Sequence, residues 1–440
     1  MKLLAFVSTI DLKYKLGCTP SWWQLLKALH ETGNEVIVVP YLGGAVESLW
    51  WRTYENSCKF ESILYNNFLK SPGKVTDSSK TNFFLSPIMK NLINLSIKPK
   101  IKKQLWDIIN NEKDLDFILF MNIPLNHITG IPSEIKTEFG ISCLYYDGDM
   151  PTILPKYAMS RGFKFDYYLE ADLSEYDVFF VNSKGVIEDL KEAGAKKVIP
   201  LYYAADPDLF APVNVEQTID VSFYGHGSEL REEWMTNMIS NPSKRMLDAN
   251  FAVGGGNFGT DMGNANLVGP VSYSAFREFC CKSKINLNIT RWSHTNVYAS
   301  ATARPFELAA YGACIVSQPY NGIEEWFEIG KEIIVVNSED EAVETYEWLL
   351  SSEEERLKIG ERARQRILKD HTYRHRAETI VTSVKGTVPS ILNEPAYGLR
   401  AEMMIEVSTS KMKPWEPLNS CCPPLRKKGL KIGEEPGRVF

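Results

Sequence analysis

The sequence predicts an α/β protein made of two successive parallel-sheet units, and three observations carry that expectation. Short apolar runs bounded by turn residues alternate with segments whose apolar residues repeat at helical spacing. The alternation breaks near residue 213 and then starts again. A chain of 440 residues holds two to three domains, each large enough for its own core.

The first unit opens with a buried strand over 2–8, a helix over 22–32, the helix-stop Gly33 and a second strand over 35–40. Further strands are expected at 117–121, 142–146, 178–182 and 197–201, with Ser183 capping a helix over 186–193. Residues 213–218 read as a linker. The second unit has strands at 220–224, 250–253, 284–289, 313–317 and 333–336. Its helices fall at 306–311, 341–350, 356–368 and 373–384, with Ser352 and Glu355 as a capping box for the third. Strands alternating with helices imply parallel sheets covered on both faces, hence two Rossmann-like domains facing a cleft, 1–212 and 213–385. Residues 386–440 hold seven of the 23 prolines and a Cys421-Cys422-Pro423-Pro424 cluster, and read as an extended or disordered tail.

Composition narrows the function classes. With 49 basic and 55 acidic residues the net charge is −6, which predicts no bulk attraction to nucleic acid. No run approaches the ~18 apolar residues of a membrane span, and the start, MKLLAFVST, is too short for a signal peptide. The eight cysteines lack zinc spacing and include two adjacent pairs, so reduced thiols in a cytoplasmic protein are expected. Residues 82–109 interleave Lys90, Lys98, Lys100, Lys102 and Lys103 with apolar residues. That pattern suits either a peripheral helix at the inner membrane face or a solvated basic face.

Several motifs carry chemistry. Residues 254–259 satisfy G-x-G-x-x-G, but a Gly- and Asn-rich stretch follows where a helix should begin, so NAD is rejected and a loop expected. Asp147-Gly148-Asp149 ends an apolar strand, where α/β proteins bind ligands, although Asp-Gly is also a plain turn. The turn Gly225-His226-Gly227 ends the first strand of the second unit before a helix near Glu229. Its small residues let a diphosphate approach backbone N–H groups, with Arg231 one turn into the helix. Glu307, in the first turn of a helix, suits ribose hydroxyls or simply stabilises that helix end. Arg304, three residues earlier, would meet a phosphate or pair with Glu307.

These surroundings resemble the nucleotide-sugar glycosyltransferases of the GT-B fold, close to the family 4 pattern and nearest to the spore-maturation-protein (CgeB-like) branch. The matching stretches are VGPVSYSAFREFCCKSKINLNITR (268–291), RPFELAAYGACIVSQPYNGIEEWF (304–327) and 340–380, with 178–210 similar to the end of a GT-B first domain. The resemblance implies donor binding by the second domain and acceptor binding mostly by the first. A final helix, with His371, Thr372, Tyr373, His375 and Arg376, would cross back to the first domain. Glu307 matches the second Glu of the E-x7-E signature, and the first falls on Ala299.

The resemblance also implies a role for Gly17 near the diphosphate, and for Asp147 or Asp149 as the base for an acceptor hydroxyl. Arg291 would neutralise the leaving group. The implied reaction moves a sugar from a UDP- or GDP-linked donor to a hydroxyl on a glycan, lipid or protein, without cofactor or metal. A nucleotide-sugar epimerase and a non-catalytic sugar-nucleotide-binding surface-assembly protein are the alternatives.

Overall fold

The computed structural model describes residues 1–10, 21–70, 87–154, 156–157, 167–227, 231–256, 258–259 and 261–385. Gly17 and the 386–440 tail lie outside the described residues. The first sheet consists of β1 (Lys2–Thr9), β2 (Glu35–Leu42), β3 (Arg52–Thr53), β4 (Phe117–Met121), β5 (Ser142–Asp147), β6 (Val178–Val181) and β7 (Val198–Pro200). The second consists of β8 (Ile219–His226), β9 (Phe251–Gly256), β10 (Asn266–Gly269), β11 (Ser283–Asn288), β12 (Ile315–Ser317) and β13 (Ile334–Val335).

Among the described residues, every strand pairing within the two sheets is parallel. The strand orders are β3-β2-β1-β4-β5-β6-β7 and β10-β9-β8-β11-β12-β13. In each sheet the order reverses beside the first strand, between β1 and β4 and between β8 and β11. Such a reversal opens a crevice at the carboxyl ends of the strands. Central strands are buried on both faces, which is why they read as unbroken apolar runs: Leu3, Ala5 and Val7 pack on one side of β1, Leu4 and Phe6 on the other.

The last helix, Tyr373–Lys385, joins the core of the first sheet. Its Tyr373, Ala377 and Ile380 pack in one cluster with Leu25, Leu26 and Leu29 of the helix Ser21–Glu31. Arg376 fastens it: Nε donates to the Tyr202 carbonyl at 2.9 Å, and the two terminal nitrogens to the Tyr203 and Asp370 carbonyls at 3.3 Å.

A second fastening joins the two sheets. Residues 182–185, just beyond β6, lie antiparallel to 298–301. Ala301 N donates to Asn182 O at 2.8 Å, Lys184 N to Ala299 O at 3.1 Å and Gly185 N to Tyr298 O at 2.9 Å. The Ser183 and Ser300 hydroxyls bond to each other at its centre, both fully buried.

Some local expectations are corrected. Gly254–Gly256 belong to β9 rather than to a loop. The helix bearing Glu307 runs Ala303–Ala310 and so includes Arg304. Ser352 makes no capping bond; the cap with that logic is one helix earlier, where Ser338 Oγ accepts from Glu341 N at 3.2 Å. Ser183 caps nothing, because its hydroxyl is spent on Ser300. Within 82–109, the apolar residues Ile93, Ile97, Ile101, Leu105 and Ile108 point into the first core, and Leu95 is exposed. Lys90, Lys100 and Lys102 pair with Glu170, Glu61 and Glu134. Among the described residues no helix is long and apolar enough to cross a membrane.

Replacing Arg376 by Met should lower the free energy of unfolding by about 2–4 kcal/mol, since the buried guanidinium goes and three half-buried carbonyls lose their donor. Urea denaturation followed by tryptophan fluorescence measures this; an unchanged midpoint would show that the helix is held by apolar packing alone.

Candidate functional site

The carboxyl ends of β4 and β5 are neighbours, with Met121 opposite Tyr146 in the register. Asn122, just past β4, adopts φ +52° and turns its amide onto the next strand end. Its Nδ2 donates to Asp149 Oδ2 at 2.7 Å and its Oδ1 accepts from Gly148 N at 2.9 Å. Asp147 Oδ1 accepts from Asp149 N at 2.9 Å, and Oδ2 from the Tyr168 hydroxyl at 2.6 Å. Tyr203 closes the back of this turn by donating to the Gly148 carbonyl at 2.8 Å.

The two carboxylates differ in access. Asp147 is 1% exposed, whereas Asp149 is open to solvent. Burial raises the Asp147 carboxyl to about 7, with the Asp149 charge adding and the Tyr168 hydrogen bond opposing. The packing around Asp149 also raises its carboxyl, against the pull of Asn122 and Arg291.

Arg291 comes from the second sheet. It follows β11 at the head of the short helix Trp292–Asn296, and its charge acts on Asp149 across the cleft. Within that helix His294 is buried, and its imidazole is driven down to about 3 by burial first and then by Arg291 and Arg231. A neutral histidine therefore lies among two guanidinium groups at pH 7. Arg231 Nη1 donates to the His226 carbonyl at 2.8 Å, tying it to the end of β8. It precedes the helical turn Glu232–Met235, rather than lying one turn inside a helix, and the expected start near Glu229 falls outside the described residues. His226 itself is exposed. A Cβ on Gly225 would fall 2.8 Å from the Phe223 ring, and one on Gly227 2.2 Å from Phe258. Packing thus requires glycine at both positions whether or not a ligand approaches.

Arg304 and Glu307 form a second group. Arg304 Nη1 meets Glu307 Oε2 at 2.9 Å, and its guanidinium lies 4.4 Å from the Phe276 ring centre and 5.4 Å from that of Tyr224, the residue before Gly225. Glu307 is 1% exposed, so Arg304 presents the reachable side of the pair. Burial raises the Glu307 carboxyl and Arg304 lowers it.

The structure thus gathers Asp147, Asp149, Arg291, Arg231 and the His226 backbone into one network, and sets Arg304 with Glu307 beside the same strand end. Asn122, Tyr168 and His294 are the additions that sequence reasoning missed. Only Asn122 had a readable signal, a polar residue just after the apolar strand FILFM.

Residues 231–382 match a family model described as glycosyl transferase-like. That stretch is similar to a glycosyltransferase domain. Solved structures of similar architecture include sucrose-phosphate synthase from Thermosynechococcus elongatus, 12% identical with a TM-score of 0.58, covering 88% of this chain and 99% of its own. The E. coli trehalose-6-phosphate protein bound with UDP-2-fluoro glucose is 12% identical with a TM-score of 0.58, covering 89% and 100%. HepE from Anabaena in complex with UDP is 9% identical with a TM-score of 0.54, covering 88% and 100%. No curated protein sequence matches the chain. At such identities the likeness establishes the GT-B fold, two parallel-sheet Rossmann-like domains.

The Asp147 environment makes a signed prediction. Its folded value of about 7 lies above the ordinary 3.8, so ionising it costs stability as pH rises between those values. The cost is absent below pH 4 and complete above pH 7. The stability of Asp147→Asn minus that of the wild type should therefore grow by about 2–4 kcal/mol from pH 4 to pH 8. Denaturation curves across that range measure it, and a difference independent of pH would contradict the assigned environment.

Proposed function

We propose that the chain transfers a sugar from a UDP-linked donor to a hydroxyl acceptor in the cleft between the two sheets. The observation that carries this reading is that the charges of Arg231 and Arg291 both act on buried, neutral His294, with the Arg291 charge also acting on Asp149 of the other sheet. Two guanidiniums at strand ends suit the charge that develops on a departing nucleoside diphosphate. Asp149, the solvent-facing carboxylate, takes the proton of the attacking hydroxyl as the acceptor oxygen bonds to the anomeric carbon and the bond to the diphosphate breaks. Its carboxyl is raised above the ordinary value, which makes the carboxylate a stronger base. Asp147 and Asn122 position it.

The neighbours crystallised with UDP or a UDP-sugar support uridine over guanosine in the donor. Arg304, held by Glu307 over Phe276, is assigned to the nucleotide side of the same donor. The arginines supply the charge that a metal would otherwise bring, so we assign no metal to the reaction. The stretches 268–291 and 304–327 support placing the chain in the spore-maturation-protein branch.

Thermal unfolding with UDP-glucose, UDP-galactose, UDP-N-acetylglucosamine and GDP-mannose tests the donor, because a ligand that binds the folded state raises its stability. A UDP donor should raise the midpoint by several degrees, and EDTA should leave turnover unchanged. Arg291→Ala should lower kcat by about 10²–10³-fold. Conversion of the donor sugar without any acceptor would favour an epimerase, and the absence of a shift with every nucleotide would favour the non-catalytic alternative.

A further inference from the structure

The first turns of the helix Lys59–Lys70 are turned the opposite way from an ordinary surface helix. Such a helix buries its apolar stripe and shows its polar one. Here Glu61 and Ser62 are buried, while Phe60, Ile63 and Leu64, at i, i+3 and i+4, face outward. Phe60 is 75% exposed, and the other two are about half exposed. The inward Glu61 has its partners: it accepts from Ser96 Oγ at 2.9 Å and pairs with Lys100. Both come from the neighbouring helical stretch 93–111, whose Leu95, the residue before Ser96, is itself 78% exposed. Four apolar side chains on two adjoining elements thus stand in solvent, held there by a buried polar contact. Single exposed leucines are ordinary, but a face of reversed polarity spread over two joined elements marks an interaction surface.

The charge around these residues is as uneven. Residues 59–103 contain nine lysines, no arginine and two acidic residues, in a chain whose net charge is −6. Lys59 and Lys103 are exposed, and Lys100 keeps about half of its side chain in solvent beside Glu61. A Cβ on Gly44 would stand 3.7 Å from Lys59 Nζ, so the face begins beside the loop after β2, at the end of the first sheet that carries Asp149. The mix of residue types identifies the occupant. Protein interfaces favour arginine, tyrosine and tryptophan and are poor in lysine. Phenylalanine and leucine flanked by lysine suit the boundary between lipid headgroups and acyl chains, where apolar tips sink in and lysine amines meet phosphate.

We infer that this face docks the protein on an anionic phospholipid bilayer, with Phe60, Ile63, Leu64 and Leu95 entering the headgroup boundary and Lys59, Lys100 and Lys103 meeting lipid phosphates. The contact is peripheral. The segment 82–109 does not lie on the bilayer along its length, since its regularly spaced apolar residues face the core; it lends Leu95 and two of the lysines. Docking of this kind is independent of the sugar-transfer reading, so failure of either leaves the other standing.

The test is flotation of the full chain with two vesicle preparations, phosphatidylcholine alone and phosphatidylcholine mixed with phosphatidylglycerol. The protein should float with the mixed vesicles and stay behind with phosphatidylcholine alone, and raised salt should weaken the association. The triple variant Phe60→Ser, Leu64→Ser, Leu95→Ser should lower the partition coefficient by about 10-fold or more. Its thermal midpoint should stay near that of the wild type, because none of the three side chains is taken from a core. Lys59→Glu combined with Lys103→Glu should lower binding to the mixed vesicles by about 10-fold as well, without touching the apolar residues. Absence of flotation with either preparation overturns the inference. So does flotation of the triple variant at the wild-type level, which would assign the lipid contact to another part of the chain. A dimer in solution that the triple variant dissociates, with no vesicle binding by the wild type, would assign the face to a second copy and overturn the inference too.

Discussion

The cleft depends on one contact, the antiparallel backbone pairing of 182–185 with 298–301. Each sheet presents charged side chains at its own carboxyl end, but neither set makes a site alone. Asp147 and Asp149 belong to the first sheet; Arg231, His294 and Arg291 belong to the second. The pairing fixes their separation with three backbone hydrogen bonds, a side-chain bond from Asn182 to the Ala301 carbonyl at 3.0 Å and the Ser183–Ser300 contact. All of Asn182, Ser183, Ala299, Ser300 and Ala301 are fully buried. Separating the strands would leave each buried group without a partner, at about 1–3 kcal/mol apiece. The rim adds Lys184 and the Tyr298 hydroxyl, both bonded to Glu325, at 2.8 and 2.7 Å.

That contact also accounts for the departure from the E-x7-E pattern. Ala299 occupies the place of the first glutamate, has φ +45° and lies at the centre of the pairing. Gly322 approaches it so closely that a Cβ there would stand 2.2 Å from the Ala299 nitrogen. A position enclosed on every side serves the joint between domains and has no opening toward a sugar. The loss of one acidic group is consistent with a cleft whose acidic groups come from the other sheet, as Asp147 and Asp149.

Much of this was legible in the sequence because parallel strands buried on both faces leave unbroken apolar runs, such as FILFM and KINLNI. The position of Asp147, Asp149, Arg231 and Arg291 just past such runs was legible for the same reason. What stayed hidden involves partners distant in sequence. Tyr168 reaches Asp147 from a turn that carries no pattern, and Ser183 meets Ser300 117 residues away. The segment 93–109 shows the converse problem. Its apolar spacing is the same whether that face meets a membrane or a protein core, and only packing reveals that Ile97, Ile101 and Leu105 face inward. Glu307 is intermediate: the motif located it, while its enclosure behind Arg304 could be read only from the packed helix.

Asp149 and Arg291 attract one another across the cleft, and in the proposed reaction the donor diphosphate replaces that attraction. Calorimetric titration of UDP into Asp149→Asn, with transfer measured on the same preparation, tests that directly. Neutralising Asp149 frees Arg291 for the diphosphate, so UDP should bind about 3–10-fold more tightly, the effect of removing one nearby opposite charge. Transfer should fall by about 10²-fold or more, since the base is gone. Weaker UDP binding, or transfer at the wild-type rate, would contradict the account.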